Sequence, residues 1–341
     1  MQIERIFAGA VIAAALSTGA VALKSPPVVA PVPLALPLSA TPLPLDRDDP
    51  ARTELGALRF MGAVLLRSSN PLFGGVSGLR AGRGERMLAV GDTGNWLAFS
   101  TVERGGRLVG VADGVIAPIL QPDGRAAATK SDGDAEALEW DADSGAATIV
   151  YEQDHRLVHF AGIDADRPAS LAAVPTRTER LTAMTGWPSN GGGEAIAVLT
   201  DGVRIVISER QQRPDGSHVA LLTRGGTTVE IGVGGAEDHA PTDAIALDDH
   251  RILVLNRRFS PMGQSSVLTL VDLAPALAGA VTAPLPAREL ARLAPPLTLD
   301  NMEGLAIRRS GGRTFLYMVS DDNLSGLQKT VLMKFELRLP E

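Results

Sequence analysis

Four acids recur in nearly the same local setting along this 341-residue chain. Glu136 stands in "DGDAEALEW", Glu194 in "NGGGEAIAVL", Asp243 in "HAPTDAIAL" and Glu303 in "LTLDNMEGLAI", each at the head of a short apolar run. A carboxylate in such a place is costly unless it is paired, hydrogen-bonded or bound to a cation. If the four converge, their charges cannot persist uncompensated: the pKa values rise or a cation binds. Oxygen ligands without cysteine and with few histidines suit a hard cation, calcium first. Asp134 and Asp300, just ahead of two of these acids, would stand at the edge of such a site. A competing reading makes the acids structural, capping turns and accepting backbone hydrogen bonds.

Convergence requires elements that repeat. With Ser77 of "GVSGLRA" as a first anchor, the anchors are spaced 59, 58, 49 and 60 residues apart. Each is followed 13 to 18 residues later by a strand ending in a polar residue: Asp92, Glu152, Glu209, Asn256 and Asp321. Within a unit, apolar or β-branched runs alternate with Gly/Asp turns. "EALEWD", "ATIVYEQ", "RLVHFAG" and "LAAVP" make one set of four, and "EAIAVL", "RIVISE", "HVALLTR" and "TVEIGV" another. Units of about 50 residues with four strands describe β-propeller blades, which bury their faces only against neighbours. The fold class is therefore all-β, a β-propeller of four-stranded blades. Five blades are counted, and the irregular stretches 110–132 and 275–297 leave room for a sixth. The last unit shows three strands, and "ALRFMGAVLL" (57–66) is expected to supply the fourth, closing the ring and removing an exposed edge. The first strand of each blade lines the central channel, so the anchors form a ring at one mouth.

Composition bounds the rest. A net charge of −7 with scattered Lys and Arg offers no basic surface for nucleic acid. The lack of cysteine excludes disulfides, thiol nucleophiles and thiolate metal sites. Residues 1–22 read as a signal peptide, with Arg5, the apolar run Ile6 to Leu16 and the small residues Ala20 and Ala22. The expectation is a periplasmic or secreted protein with no stable membrane insertion after cleavage; the alternative is a retained anchor helix. Residues 23–54 read as a Pro-rich linker outside the fold, and 55–341 as the propeller domain. Nothing in the chain sets an oligomeric state.

"GGVSGL", "GDTGNW", "DAEALEW", "YEQDHR", "NGGGEAIAVL", "LNRRFSP", "DNMEGLAI" and "SDDNLS" occur in this order. Over roughly 55–338, this series resembles the phytase-like, or "esterase-like activity of phytase", family of exported bacterial proteins. That family is distantly similar to β-propeller phytases, which hold calcium at a propeller mouth to hydrolyse inositol phosphates. The resemblance implies Asp134, Glu136 and Glu303 at the mouth, with Glu152, Asp154 and Arg156 from "YEQDHR" beside them.

Other motifs carry less. His155 and His159 in "HRLVH" would pair on a helix, but here they fall on a turn and strand. "GVSGL" lacks the final glycine of a nucleophile elbow. "GVGG" and "NGGG" lack the strand–loop–helix setting of a phosphate cradle. Arg257, at the end of a second strand, could meet an anionic substrate through its planar fork or pair with a neighbouring blade's acid. Two functional readings stand. One is a calcium-assisted hydrolase acting on a small anionic ester, with Glu152 or Asp154 accepting a proton and Arg156 or Arg257 orienting the anion. The other is a non-catalytic periplasmic propeller that binds a ligand or a protein partner.

Overall fold

Runs such as "ATIVY", "RIVIS" and "RILVL" are apolar on both faces, which suits strands covered on both sides. The computed structural model describes residues 32–260, 263–279, 281 and 283–339, so the expected signal peptide lies outside the described residues. The strands form five antiparallel sheets. From the centre outward, blade 1 comprises Val76–Ala81, Arg86–Gly91, Asn95–Arg104 and Arg107–Pro118. Blade 2 comprises Ala135–Asp141, Ala146–Tyr151, Arg156–Phe160 and Arg177–Arg180. Blade 3 comprises Gly193–Val198, Arg204–Gln212, His218–Arg224 and Thr227–Val233. Blade 4 comprises Ala240–Ala246, Arg251–Ser260, Gly263–Asp272 and Ala287–Leu293. Blade 5 comprises Asn301–Ser310, Arg313–Asp321 and Thr330–Leu337, completed by Leu58–Ser68 from the other end of the chain.

The closing strand is the expected one. It pairs antiparallel with Thr330–Leu337, from Thr330 opposite Leu66 to Leu337 opposite Leu58. The two stretches that left room for a sixth blade do not hold one. Residues to Pro118 continue the outer strand of blade 1, and Lys130–Gly133 is one helical turn. Residues 274–277 form another helical turn before the outer strand of blade 4. In blade 2 the fourth strand is Arg177–Arg180, whereas "LAAVP" begins in a 3-10 turn, Pro168–Ala172.

The Pro-rich stretch is a second correction. Two pieces of it belong to the sheets. Leu34–Ala35 pairs with the outer strand of blade 1, and Leu38–Leu43 pairs with the closing strand. Proline cannot donate to a ladder, so it is confined to edges, and Pro42 lies in such an edge strand. Farther on, Asp46 bridges to Leu297.

Each blade buries both faces against its neighbours. The five apolar clusters fall one at each blade interface. Trp96 and Phe160 meet edge-on at 5.3 Å between blades 1 and 2. Ile196 packs with Val150 between blades 2 and 3, and Ile205 with Ile252 between 3 and 4. Leu255 packs with Leu305 between blades 4 and 5, and Leu79 with Tyr317 between 5 and 1. At full burial, each such side chain contributes about 1.5–3 kcal/mol. The inner strands contact one another in order around the ring, blade 5 against blade 1 included.

Arg80, on the inner strand of blade 1, fills the channel. Its guanidinium donates to the carbonyls of Ile196, Ala244 and Leu305, and to both oxygens of Asp243, at 2.8–3.2 Å. Its Nε lies 3.3 Å from Glu139 Oε2. One side chain thus touches all four other blades and is itself 3% exposed.

Candidate metal centre

Every inner strand carries a register shift against its second strand at the same place. The residue left out of the pairing is Ser77, Glu136, Glu194, Thr242 or Glu303, in blades 1 to 5. A bulge frees one residue from the ladder and re-aims its side chain. Ser77 and Thr242 use this freedom to bond the next blade, donating to the carbonyls of Ala135 and Met302. The other three positions present carboxylates. Asp243 is one residue past the bulge, and a one-residue slip reverses the side chain. It points into the channel, fully buried, where it pairs with Arg80 and accepts from the amides of Ala244 and Leu305. Asp243 is therefore not part of the mouth, and Thr242 holds its place.

The second strands end at the same mouth. Among the described residues, one carboxylate trio is compact there: ligand oxygens of Asp134, Glu136 and Glu152 lie within 4.8 Å of one another. The amides of Gly191 and Gly192 bond Glu152 Oε1. Thus "NGGG" holds a carboxylate rather than only turning the chain, and a Cβ at Gly191 would meet Arg210 Cγ at 2.3 Å. Gln153 Nε2 donates to Asp134 Oδ2 at 2.9 Å. The other oxygen, Asp134 Oδ1, is buried without a hydrogen bond, as is Asp92 Oδ1. The nearest cation is Lys130, 3.6 Å from Asp134 Oδ1 and 2.9 Å from Asp92 Oδ2 on a side chain that is 64% exposed. Buried orphan oxygens beside a compact, oxygen-only carboxylate trio fit a hard divalent cation.

Crowding shows in the proton affinities. Burial, then the charges of Asp134 and Asp92, pushes Glu136 well above the usual carboxylate range. Burial, then Glu136 and Glu209, does the same to Glu194. Burial raises Glu303 to about 8 against the pull of Arg257. Asp321 rises to about 7 through burial and then Asp92.

Arg257 neutralises the other half of the mouth. It bonds Glu209 Oε1 at 3.0 Å, Glu303 Oε1 at 2.5 Å and Asn301 Oδ1 at 2.5 Å. It therefore pairs with acids of blades 3 and 5. Asn301, not Asp300, occupies the position two before the bulge that Asp134 holds in blade 2. Asp300 is spent on the Asn301 amide. Two expected participants are also committed elsewhere. Asp154 is held by Arg156 at 2.5 Å and Arg180 at 2.7 Å. The Arg156 guanidinium also bonds the Asp132 carbonyl and lies 4.0 Å from the centre of the Tyr151 ring. The sequence shows Asp92, Glu209 and Asp321 as recurring strand ends but not as site residues; their recurrence 15 to 18 residues after the anchors is the signal.

The loops around the mouth are strained. Of six described non-glycine residues with positive φ, five stand there: Gln153, His155, Asp238, Asn323 and Leu324. Such conformations persist where the surrounding structure imposes them, often at functional sites.

A family model described as "Phytase-like: Esterase-like activity of phytase" matches residues 71–324. No curated protein matches the chain. Among solved structures it is similar to the α-L-arabinofuranosidase PaAbf62A from Podospora anserina in complex with cellotriose, with 11% identity and a TM-score of 0.47 over 90% of this chain and 98% of that one. It is similar to RS223-β-xylosidase at 11% identity and a TM-score of 0.44, over 81% of this chain and 94% of that one. The WD40 β-propeller domain of Doa1 follows at 9% and 0.38, over 82% and 96%.

Proposed function

This chain belongs to the phytase-like family, described by the esterase-like activity of phytase, and from that premise we propose an exported hydrolase that opens a phosphoester or other ester at the acidic mouth with a bound divalent cation, calcium first. The observation that carries the reading is the Asp134–Glu136–Glu152 trio with its buried, unpartnered Asp134 Oδ1. These three residues would hold the cation, with Asp92 beside them. When bound, such a cation supplies Lewis acidity and makes a coordinated water more acidic.

The chain's own residues prepare the rest. The amides of Gly191 and Gly192 and the Gln153 side chain fix two of the carboxylates, so little reorganisation is needed on binding. Burial raises Glu303 to about 8 and pushes Glu194 well above the usual carboxylate range, so both favour the protonated form. They stand at the bulges of blades 5 and 3, Glu194 on the blade next to that of Glu136. A carboxyl in that state can pass its proton to a departing alkoxide. Glu152 is the acceptor for a proton from water, and Asp154 drops out because two arginines occupy it. Arg257, 21% exposed and held by Glu209, Glu303 and Asn301, would orient an anion by exchanging one of these partners for it.

Calcium should raise the melting temperature and chelation should reverse the rise, because binding the folded state alone stabilises it, by about 2.7 kcal/mol at a hundred times Kd. Glu136→Gln should abolish that response, together with any cation-dependent turnover in a panel of phosphomonoesters, phosphodiesters and short carboxylic esters. A melting curve indifferent to calcium and chelator removes the metal. A calcium response without turnover of any ester leaves a ligand-binding propeller.

A further inference from the structure

The mouth continues sideways into a cleft of about 700 Å³ between the mouth loops of blades 3 and 4. Glu209 and Arg257 form its inner wall and belong equally to the mouth. Its floor is firm: buried His218 and His239 line it, tied to the Ser208 carbonyl and to Ser265 Oγ. Two further guanidiniums line it from opposite blades. Arg210 bonds only through Nε, to Glu209 Oε2 at 3.2 Å, so its terminal nitrogens have no partner among the described residues. The nearest acid to Arg258 is Asp238, at 3.9 Å and largely exposed. Glu209 is already answered by Arg257 and Arg210, and Glu237 and Asp238 are the other acids of the lining. Phe259, 71% exposed, lines the same cleft next to Arg258 in sequence. A lone exposed apolar residue on a surface means little. A bare ring in a concave site that also offers two underused guanidinium forks is a recognition surface.

We propose that this cleft binds a planar ring bearing an anionic group, with the anion between Arg210 and Arg258 and the ring on Phe259. Guanidinium forks match phosphate, phosphonate and carboxylate geometry, and an aromatic face accepts a second ring by offset stacking. The cleft shares Glu209 and Arg257 with the mouth, so a ligand held here by one end extends its other end toward the mouth. The cleft thereby defines the non-reacting end of the substrate; that last step rests on the function proposed above, whereas the binding itself does not.

The test is calorimetric titration of the full chain with phenylphosphonate, which has no ester bond, and with ring-free methylphosphonate, both in chelator so that no cation contributes. Phenylphosphonate should bind the more tightly. Arg258→Gln and Arg210→Gln should each weaken it about tenfold, the scale of one charge-assisted hydrogen-bonded contact. Phe259→Ala should weaken phenylphosphonate and leave methylphosphonate unchanged. The three cleft positions are exposed or half-exposed, and unchanged melting temperatures would confirm that these variants fold. Absence of phenylphosphonate binding, equal binding of the two probes, or wild-type affinity in Arg258→Gln would overturn the proposal. If the cleft fails while calcium still raises the melting temperature, only the cleft is lost. If the cleft binds and calcium has no effect, the hydrolase reading falls and the cleft stands.

Discussion

Arg80 and Asp243 form a buried pair in which each partner depends on the other. The arginine neutralises a carboxylate with no exposure, its Nε reaches Glu139, and the carbonyls of Leu79, Ile196, Ala244 and Leu305 accept from the rest of it. Removing one member of such a pair leaves a charge uncompensated, at a cost of about 3–5 kcal/mol. Arg80→Leu should therefore lower stability by that amount in urea titration, and adding Asp243→Asn should recover part of the loss. If the double variant is no more stable than the single one, the cost lies in Glu139 and the carbonyls instead. A different acid sets a pH limit. Hydrogen bonding to Arg204 lowers Glu179 from 4.5 to about 2, with His159 and Arg177 also in contact. A lowered carboxylate favours the fold above its unfolded pKa, and that contribution fades as pH falls through the interval toward 2. Glu179→Gln should lose less stability than the wild type over that acid interval, measured by denaturant midpoints at each pH. The acids themselves were legible in the sequence. Which neighbour of a bulge faces the mouth was not, because a bulge is a property of two paired strands. Charge singles out Asp243 and Asp300, whereas the bulge register turns Thr242 and Asn301 to the mouth.

At the scale of elements, the period and the closing strand could be read from apolar runs, because each blade is covered on both faces and its strands are short and continuous. The edge strands could not. Leu34–Ala35 and Leu38–Leu43 lie among prolines, and proline-rich composition looks the same in a spacer as in an edge that needs no donor. Closure gives these pieces unequal weight. A chain beginning at residue 70 lacks the strand that covers Thr330–Leu337, exposing a buried apolar ladder to other copies. Such a chain should aggregate or fail to fold, whereas a chain beginning at residue 50 should fold with reduced stability. Size-exclusion profiles and circular dichroism of the two truncations check this. Equal behaviour would mean that the ring does not depend on its closing strand.

As a whole molecule, the protein is a repeat array with no end. Open arrays unfold piecemeal, since each unit has only neighbour contacts and terminal units fray. Here blade 5 contacts blade 1 and one arginine joins every blade, so opening any interface weakens them all. Thermal unfolding should be one cooperative transition in which calorimetric and van't Hoff enthalpies agree. Resolved transitions would show that the blades act separately. The same arginine has a consequence for traffic. A channel stoppered at its waist makes the molecule a cup rather than a pipe. Whatever settles at the acidic brim must leave by the way it came, so a spent molecule that lingers there bars the next arrival. If the proposed hydrolysis takes place there, inhibition by its product should be competitive with substrate.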